Sequence, residues 1–266
     1  MRKFSLFVLS FALVVALLLS CSYTGVSKGG IPVSRYVPKK SNTWQSPHET
    51  CIHCEEIEKH FDHLFPDMET FVFHEILSDI VHLDVFIKSP NEKHPYYVLF
   101  TSGMSDLAMP LPKGLRKERG NLDRAELFML LPKDFPMGQI CIVGKLLQNG
   151  PLEETWPIHW LKFLAKAPHE YKTWFGHSHT VPNGPDYDPL VTGTKQCGCI
   201  LWQEKGEWGS MVSSDGVVVN LYRVVPLYRE EMEYRLEYGQ EAWCRLLEKN
   251  GGLPLIVDLH RPSLCP

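Results

Sequence analysis

Two stretches of this 266-residue chain gather side chains able to ligate a metal ion or grip a charged partner. The first holds His74, Glu75, Asp79, His82 and Asp84; in the second, His177 and His179 stand two apart behind Trp174 and Phe175. Imidazole and carboxylate groups bind zinc and similar divalent ions, so a meeting of the two segments would create a metal-dependent hydrolase site using a His/Asp cluster. Yet a His-x-His pair is common, and His82 and Asp84 fit the polar face of an amphipathic strand equally well. The sequence therefore favours solvated or hydrogen-bonded side chains here, with no metal ligand and no cofactor assigned. A second chemical candidate is Gly103-Met104-Ser105-Asp106-Leu107, which follows an apolar run and begins like the G-x-S-x-G nucleophile turn. Leu107 replaces the glycine that permits the tight turn, so Ser105 is not read as a nucleophile. No catalytic residue is assigned, and the chain is not read as an enzyme.

Binding asks for less geometry. Trp174, Phe175, His177 and His179, with Tyr171 nearby, supply aromatic anchors of the kind on which interface energy concentrates. The competing reading is that Trp174 and Phe175 fill the core beneath their loop. Asp79, Asp84 and Asp106 would favour a basic protein partner, in keeping with a net charge of −4. That charge argues against nucleic acid, which needs a basic face. The cluster Lys113, Arg116, Lys117 and Arg119 has no interleaved aromatics and reads as a solvated loop.

The N-terminus carries the targeting signal. Arg2 and Lys3 precede an apolar run over residues 4–19, too short to span a bilayer comfortably and ending in small residues. Leu18-Leu19-Ser20-Cys21 resembles the bacterial lipobox, so residues 1–20 are expected to be a lipoprotein signal peptide and Cys21 the lipidated (palmitate-bearing) new N-terminus, anchoring the protein to a membrane of the cell envelope on its periplasmic or extracellular face. Seven of the eight cysteines then remain, an odd number that cannot all pair within one chain. Cys51 and Cys54 lack the strand–helix context of a thioredoxin-like motif and read as a local disulfide or free thiols. Cys197 and Cys199 fall on one face of an expected strand, as packing residues.

The elements that position these groups follow from periodicity. Residues 21–54 are rich in Gly, Ser, Pro, Lys and Thr and read as a flexible tether; the folded domain spans 55–266. Ile57, Phe61 and Leu64 share one face of a short helix over 56–65. Strands are expected over 70–76, 81–88, 96–101, 125–131, 196–203, 217–225 and 255–257, with 140–147 strand or extended loop. Residues 157–167 form an almost wholly apolar helix, opened by Pro157 and stopped by Pro168, and the segment through Asn183 reads as an irregular connection. After Pro226 two helices are expected, broken at Gly239. Strands and helices come in groups, so the fold class is α+β: a single domain with a mixed, largely antiparallel sheet packed with helices.

Four segments carry a resemblance: TSGMSD at 101–106; Trp156-Pro157-Ile158 through Leu164; Pro168-His169-Glu170-Tyr171 through Trp174 with 179–183; and VPLYREEME at 225–233. In this order and spacing they resemble the Suppressor of fused family, in particular its bacterial single-domain members, over roughly residues 56–262. The resemblance implies a mixed α/β fold, direct protein binding without catalysis and, for the bacterial members, a role as immunity proteins that neutralise toxins. A toxin partner of a lipid-anchored member would act in or beyond the envelope.

Overall fold

The computed structural model describes residues 23–35, 52–75, 80–118, 120–137 and 151–265. Cys21, Cys51, Asp79, Cys141 and the run 140–147 lie outside them. The strands are β1 (Tyr23–Val26), β2 (Pro32–Arg35), β3 (Thr70–Phe73), β4 (Asp84–Lys88), β5 (Tyr96–Ser102), β6 (Ala125–Pro132), β7 (His179–Pro182), β8 (Gln196–Trp202), β9 (Ser210–Val212) and β10 (Val218–Tyr228); the α-helices are α1 (Cys54–Leu64), α2 (Lys113–Glu118), α3 (Leu152–Glu170) and α4 (Arg229–Lys249). β1 and β2 pair as a hairpin, while the main sheet runs β3-β4-β5-β6-β10-β8-β7 with β9 beside β10. Every described pairing in it is antiparallel except β6 with β10. The fold is α+β, as the grouping of elements indicated.

Strand periodicity assigns the two faces. Val85, Ile87, Leu99, Leu127, Met129, Leu131, Tyr222 and Val224 pack with Trp156, Ile158, Leu161 and Leu164 of α3. Their alternate neighbours Phe86, Val98, Phe100, Phe128, Leu130 and Leu221 meet Ile57 and Phe61 of α1. Farther along the same face, Ile200, Val225 and Leu227 meet Met232, Trp243 and Leu246 of α4. Both faces are covered, which is why β5 and β6 read as near-continuous apolar runs. Phe61 stacks on Phe100 at 4.0 Å between ring centroids, and Phe86 stacks on Phe100 at 5.0 Å.

Several boundaries depart from the sequence reading for physical reasons. α3 begins at Leu152 and keeps both Pro157 and Pro168 inside it. Each interior proline costs about 3 kcal/mol, but six buried side chains on this helix (Trp156, Ile158, Trp160, Leu161, Leu164 and Ala165) contribute about 1.5–3 kcal/mol for each large one. Burial outweighs propensity. Residues 179–182, read as irregular, form edge strand β7 against β8. Residues 255–257 form no strand; Val257 N–H donates one bond, 2.8 Å, to Leu130 O. The basic cluster begins in the short helix α2 rather than a loop. Within the stretch read as a tether, the β1–β2 hairpin docks on α4: Gly29 N–H donates to Leu236 O at 2.8 Å, where the non-helical Gly239 (φ 84°) breaks the helix. A Cβ on Gly29 would lie 2.4 Å from Gly239 N, so only glycine admits this approach.

Candidate functional site

The TSGMSD segment is organised by a buried carboxylate. Glu126, fully buried on β6, accepts bonds from Thr101 Oγ1 at 2.6 Å, Gly103 N–H at 3.0 Å, Ser105 N–H at 2.9 Å and Ser105 Oγ at 2.7 Å. Burial pushes its carboxyl above the ordinary glutamate range, against these four donors. Gly103 has φ 117° and would place a Cβ 2.1 Å from His82 O, so the turn requires glycine twice over. Ser105 is wholly buried, its hydroxyl donated to Glu126. It is a structural serine without access to substrate.

This turn closes one end of the sheet. Asp84 opens β4 opposite Ser102 at the end of β5. Its Oδ2 lies 2.9 Å from His74 Nδ1 and its Oδ1 3.3 Å from His82 Nε2, and Oδ1 also accepts the Glu75 N–H at 3.0 Å. The His74 and His82 rings are 4.9 Å apart. Glu75, by contrast, turns to α3, where Lys162 and Lys166 reach its carboxylate at 2.7 and 2.9 Å. Asp106 is buried and accepts Ile52 N–H at 3.0 Å. Desolvation raises its pKa, opposed by that bond and by His53, Arg124 and His82. Asp106 thus anchors the chain before α1 and presents no carboxylate to a basic partner, contrary to the sequence expectation.

The second sequence cluster sits at the same end of the sheet but on the opposite edge. Between β4 and β7 lie β5, β6, β10 and β8, about 24 Å at the usual ~4.8 Å per strand step. The two histidine segments therefore do not meet, and the joint metal site considered from sequence does not form. His177 is exposed, and its Nδ1 accepts the Gln203 N–H at 3.1 Å while its ring lies 4.5 Å from that of Trp202. Trp174 and His179 are half-buried with ring centroids 4.5 Å apart. Burial lowers the pKa of both histidines, with Arg235 adding to it; His179 falls to about 4. Both imidazoles are neutral at pH 7, and the patch is aromatic rather than cationic. Phe175 belongs elsewhere: 7% exposed, it packs in the core under α3. As a partner anchor it is corrected to a packing residue, because the apolar ring gains more from the core than the loop does from displaying it.

The VPLYREEME segment is likewise structural. Glu231 accepts the Tyr228 N–H at 2.9 Å, capping α4, and takes the two terminal Arg261 nitrogens at 2.6 and 2.7 Å and the Leu264 N–H at 2.8 Å. This clamp fixes the C-terminal segment across the start of α4. On β8 the register skips Cys197, since Leu227 pairs with Gly198 and Tyr228 with Gln196. The bulge separates the two thiols: Cys197 packs towards α4 and Cys199 towards α3, not on one face as the unbroken alternation implied. Cys54, at the start of α1, is disulfide-bonded.

A family model described as Suppressor of fused protein (SUFU) matches residues 79–262, about two thirds of the chain. The chain belongs to the Suppressor of fused family. Among solved structures, a Suppressor of fused homologue from Neisseria gonorrhoeae FA 1090 aligns with TM-score 0.57 and 15% identity, covering 80% of this chain and 97% of its own. The Sufu–Fu complex aligns at TM-score 0.53 and 17% identity, over 79% of this chain and 91% of that one. Drosophila Suppressor of fused aligns at TM-score 0.49 and 16% identity, and this chain spans half its length. A search of curated proteins found no match. Within this Suppressor of fused domain, two of the four runs that carried the resemblance, 101–106 and 225–233, hold a strand end and the C-terminal segment through Glu126 and Glu231. Sequence reading passed over both glutamates, although one signal was there: Glu126 is the sole charge in the apolar run 125–131.

Proposed function

We propose that this domain acts by binding another protein on the surface formed by Trp174, His177, His179 and Trp202. One observation carries the reading: two uncharged ring pairs, each 4.5 Å apart, lie side by side at edge strand β7. Aromatic and imidazole groups that stay neutral at pH 7 bury apolar area in a contact without the cost of desolvating a charge. The Sufu–Fu complex shows a solved relative in contact with a protein partner. Lipidation at Cys21 would hold the domain at the envelope membrane, and the partner that suits this placement is a toxin, neutralised by direct binding as an immunity protein would do. The net charge of −4 favours a basic partner through long-range attraction.

The test is affinity capture from the same organism with the chain starting at Ser22, comparing wild type with a Trp174→Ala/His177→Ala double variant. The expected result is a protein co-purifying with wild type and depleted at least tenfold with the variant, whose circular dichroism spectrum is unchanged. Equal capture by both, or an unfolded variant, overturns the assignment of this surface. Loss of acyl labelling in Cys21→Ala supports the anchor; undiminished labelling refutes it.

A further inference from the structure

We infer that His74, His82 and Asp84 form a binding site for one divalent transition-metal ion of the zinc class. This goes beyond the protein-contact reading, and it rests on residues at the other edge of the sheet. The three residues each offer a ligand atom, all within 4.8 Å of one another. Tetrahedral zinc with bonds of about 2.0–2.1 Å requires ligand atoms about 3.3–3.4 Å apart. His74 Nδ1 stands 2.9 Å from Asp84 Oδ2 and His82 Nε2 3.3 Å from Oδ1. No two of the three ligand atoms need be more than 4.8 Å apart, so rotation of the exposed His74 ring and modest shifts of its neighbours bring all three onto one ion. Two imidazoles and one carboxylate form a donor set suited to zinc and its neighbours, with a fourth position left for water or a group from a partner.

The fold supplies the support that such a site needs. Asp84 is held by the Glu75 N–H on Oδ1, while its Oδ2 faces His74. Its place is fixed by the β4–β5 register opposite Ser102. His82 is held where its carbonyl meets Gly103, in the turn organised by Glu126. His74 directly follows Phe73, which pairs with Val85 in the β3–β4 ladder. Two antiparallel strands therefore bring His74 to His82 and Asp84, eight and ten residues further along the chain. His74 is largely exposed, with 66% of its side chain accessible, so the site opens to solvent and an ion can enter.

The experiment is zinc titration by calorimetry of the full chain, stripped with chelator, followed by cobalt(II) substitution and visible spectroscopy. The proposal expects one ion per chain, tetrahedral cobalt bands without thiolate charge transfer, and affinity weakened at least tenfold in each of His74→Ala, His82→Ala and Asp84→Asn. His63→Ala, on the surface of α1, should bind as wild type. Because His74 is exposed, its replacement leaves packing intact, and loss of zinc there cannot be ascribed to unfolding. No stoichiometric binding, binding unchanged in the three variants, or cobalt spectra dominated by thiolate ligation overturns the site.

Discussion

Removing the Glu126 carboxylate should unfasten one end of the sheet. In Glu126→Ala the hydroxyls of Thr101 and Ser105 can turn to other acceptors, but the Gly103 and Ser105 N–H groups, 3.0 and 2.9 Å from Oε1, are left buried and unbonded. Each such orphan costs about 1–3 kcal/mol, partly offset by no longer desolvating a carboxylate, so a net loss of about 3 kcal/mol is expected. In a domain of this size that lowers Tm by roughly 6–12 °C. Glu126→Gln keeps one carbonyl oxygen for the three donors on Oε1 and should stay within about 1 kcal/mol of wild type at neutral pH. Stability against pH sharpens the test. The folded pKa of Glu126 lies above its unfolded value, so between the two the folded state binds more protons. Its contribution is therefore greatest below the unfolded pKa and declines as pH rises through the folded one. Subtracting the Glu126→Gln profile from wild type, by urea denaturation across acid to neutral pH, should leave a component that falls with rising pH. A flat or rising difference, or an alanine variant as stable as glutamine, refutes the argument.

Further expectations concern other contacts. Gly29→Ala forces a Cβ to within 2.4 Å of Gly239 N and should undock the N-terminal hairpin, costing about 1–3 kcal/mol; faster hydrogen exchange or proteolysis at 23–35 checks it, with the rest of the domain unchanged. Glu231→Ala strands Arg261, whose nitrogens lie 2.6 and 2.7 Å from the carboxylate, and should cost about 3–5 kcal/mol, with the C-terminal segment becoming the first proteolysis site. Burial pushes the Cys197 and Cys199 thiols up to about 11 and about 12; neither should be alkylated in native protein at pH 8, and both should be in urea, as read by mass spectrometry.

The sequence by itself determined the elements with strong periodicity. The α1 face of Ile57 and Phe61, the β4, β5 and β6 runs, the strand ahead of α4 and the break at Gly239 were all legible, because apolar spacing reports local geometry directly. So was the α+β class. The resemblance located the segments of the family but not what they do. Whether two clusters meet is a question of strand order, and nothing local in His177 or His82 records that four strands stand between their edges. Tertiary structure alone decided that Phe175 and Asp106 turn inward while His177 stays out, since burial depends on what the rest of the chain lays over a loop. It alone kept two prolines inside α3, where packing outweighs propensity. And it alone joined His74 to Asp84, because the register of an antiparallel pair, rather than their distance along the chain, sets which side chains face each other.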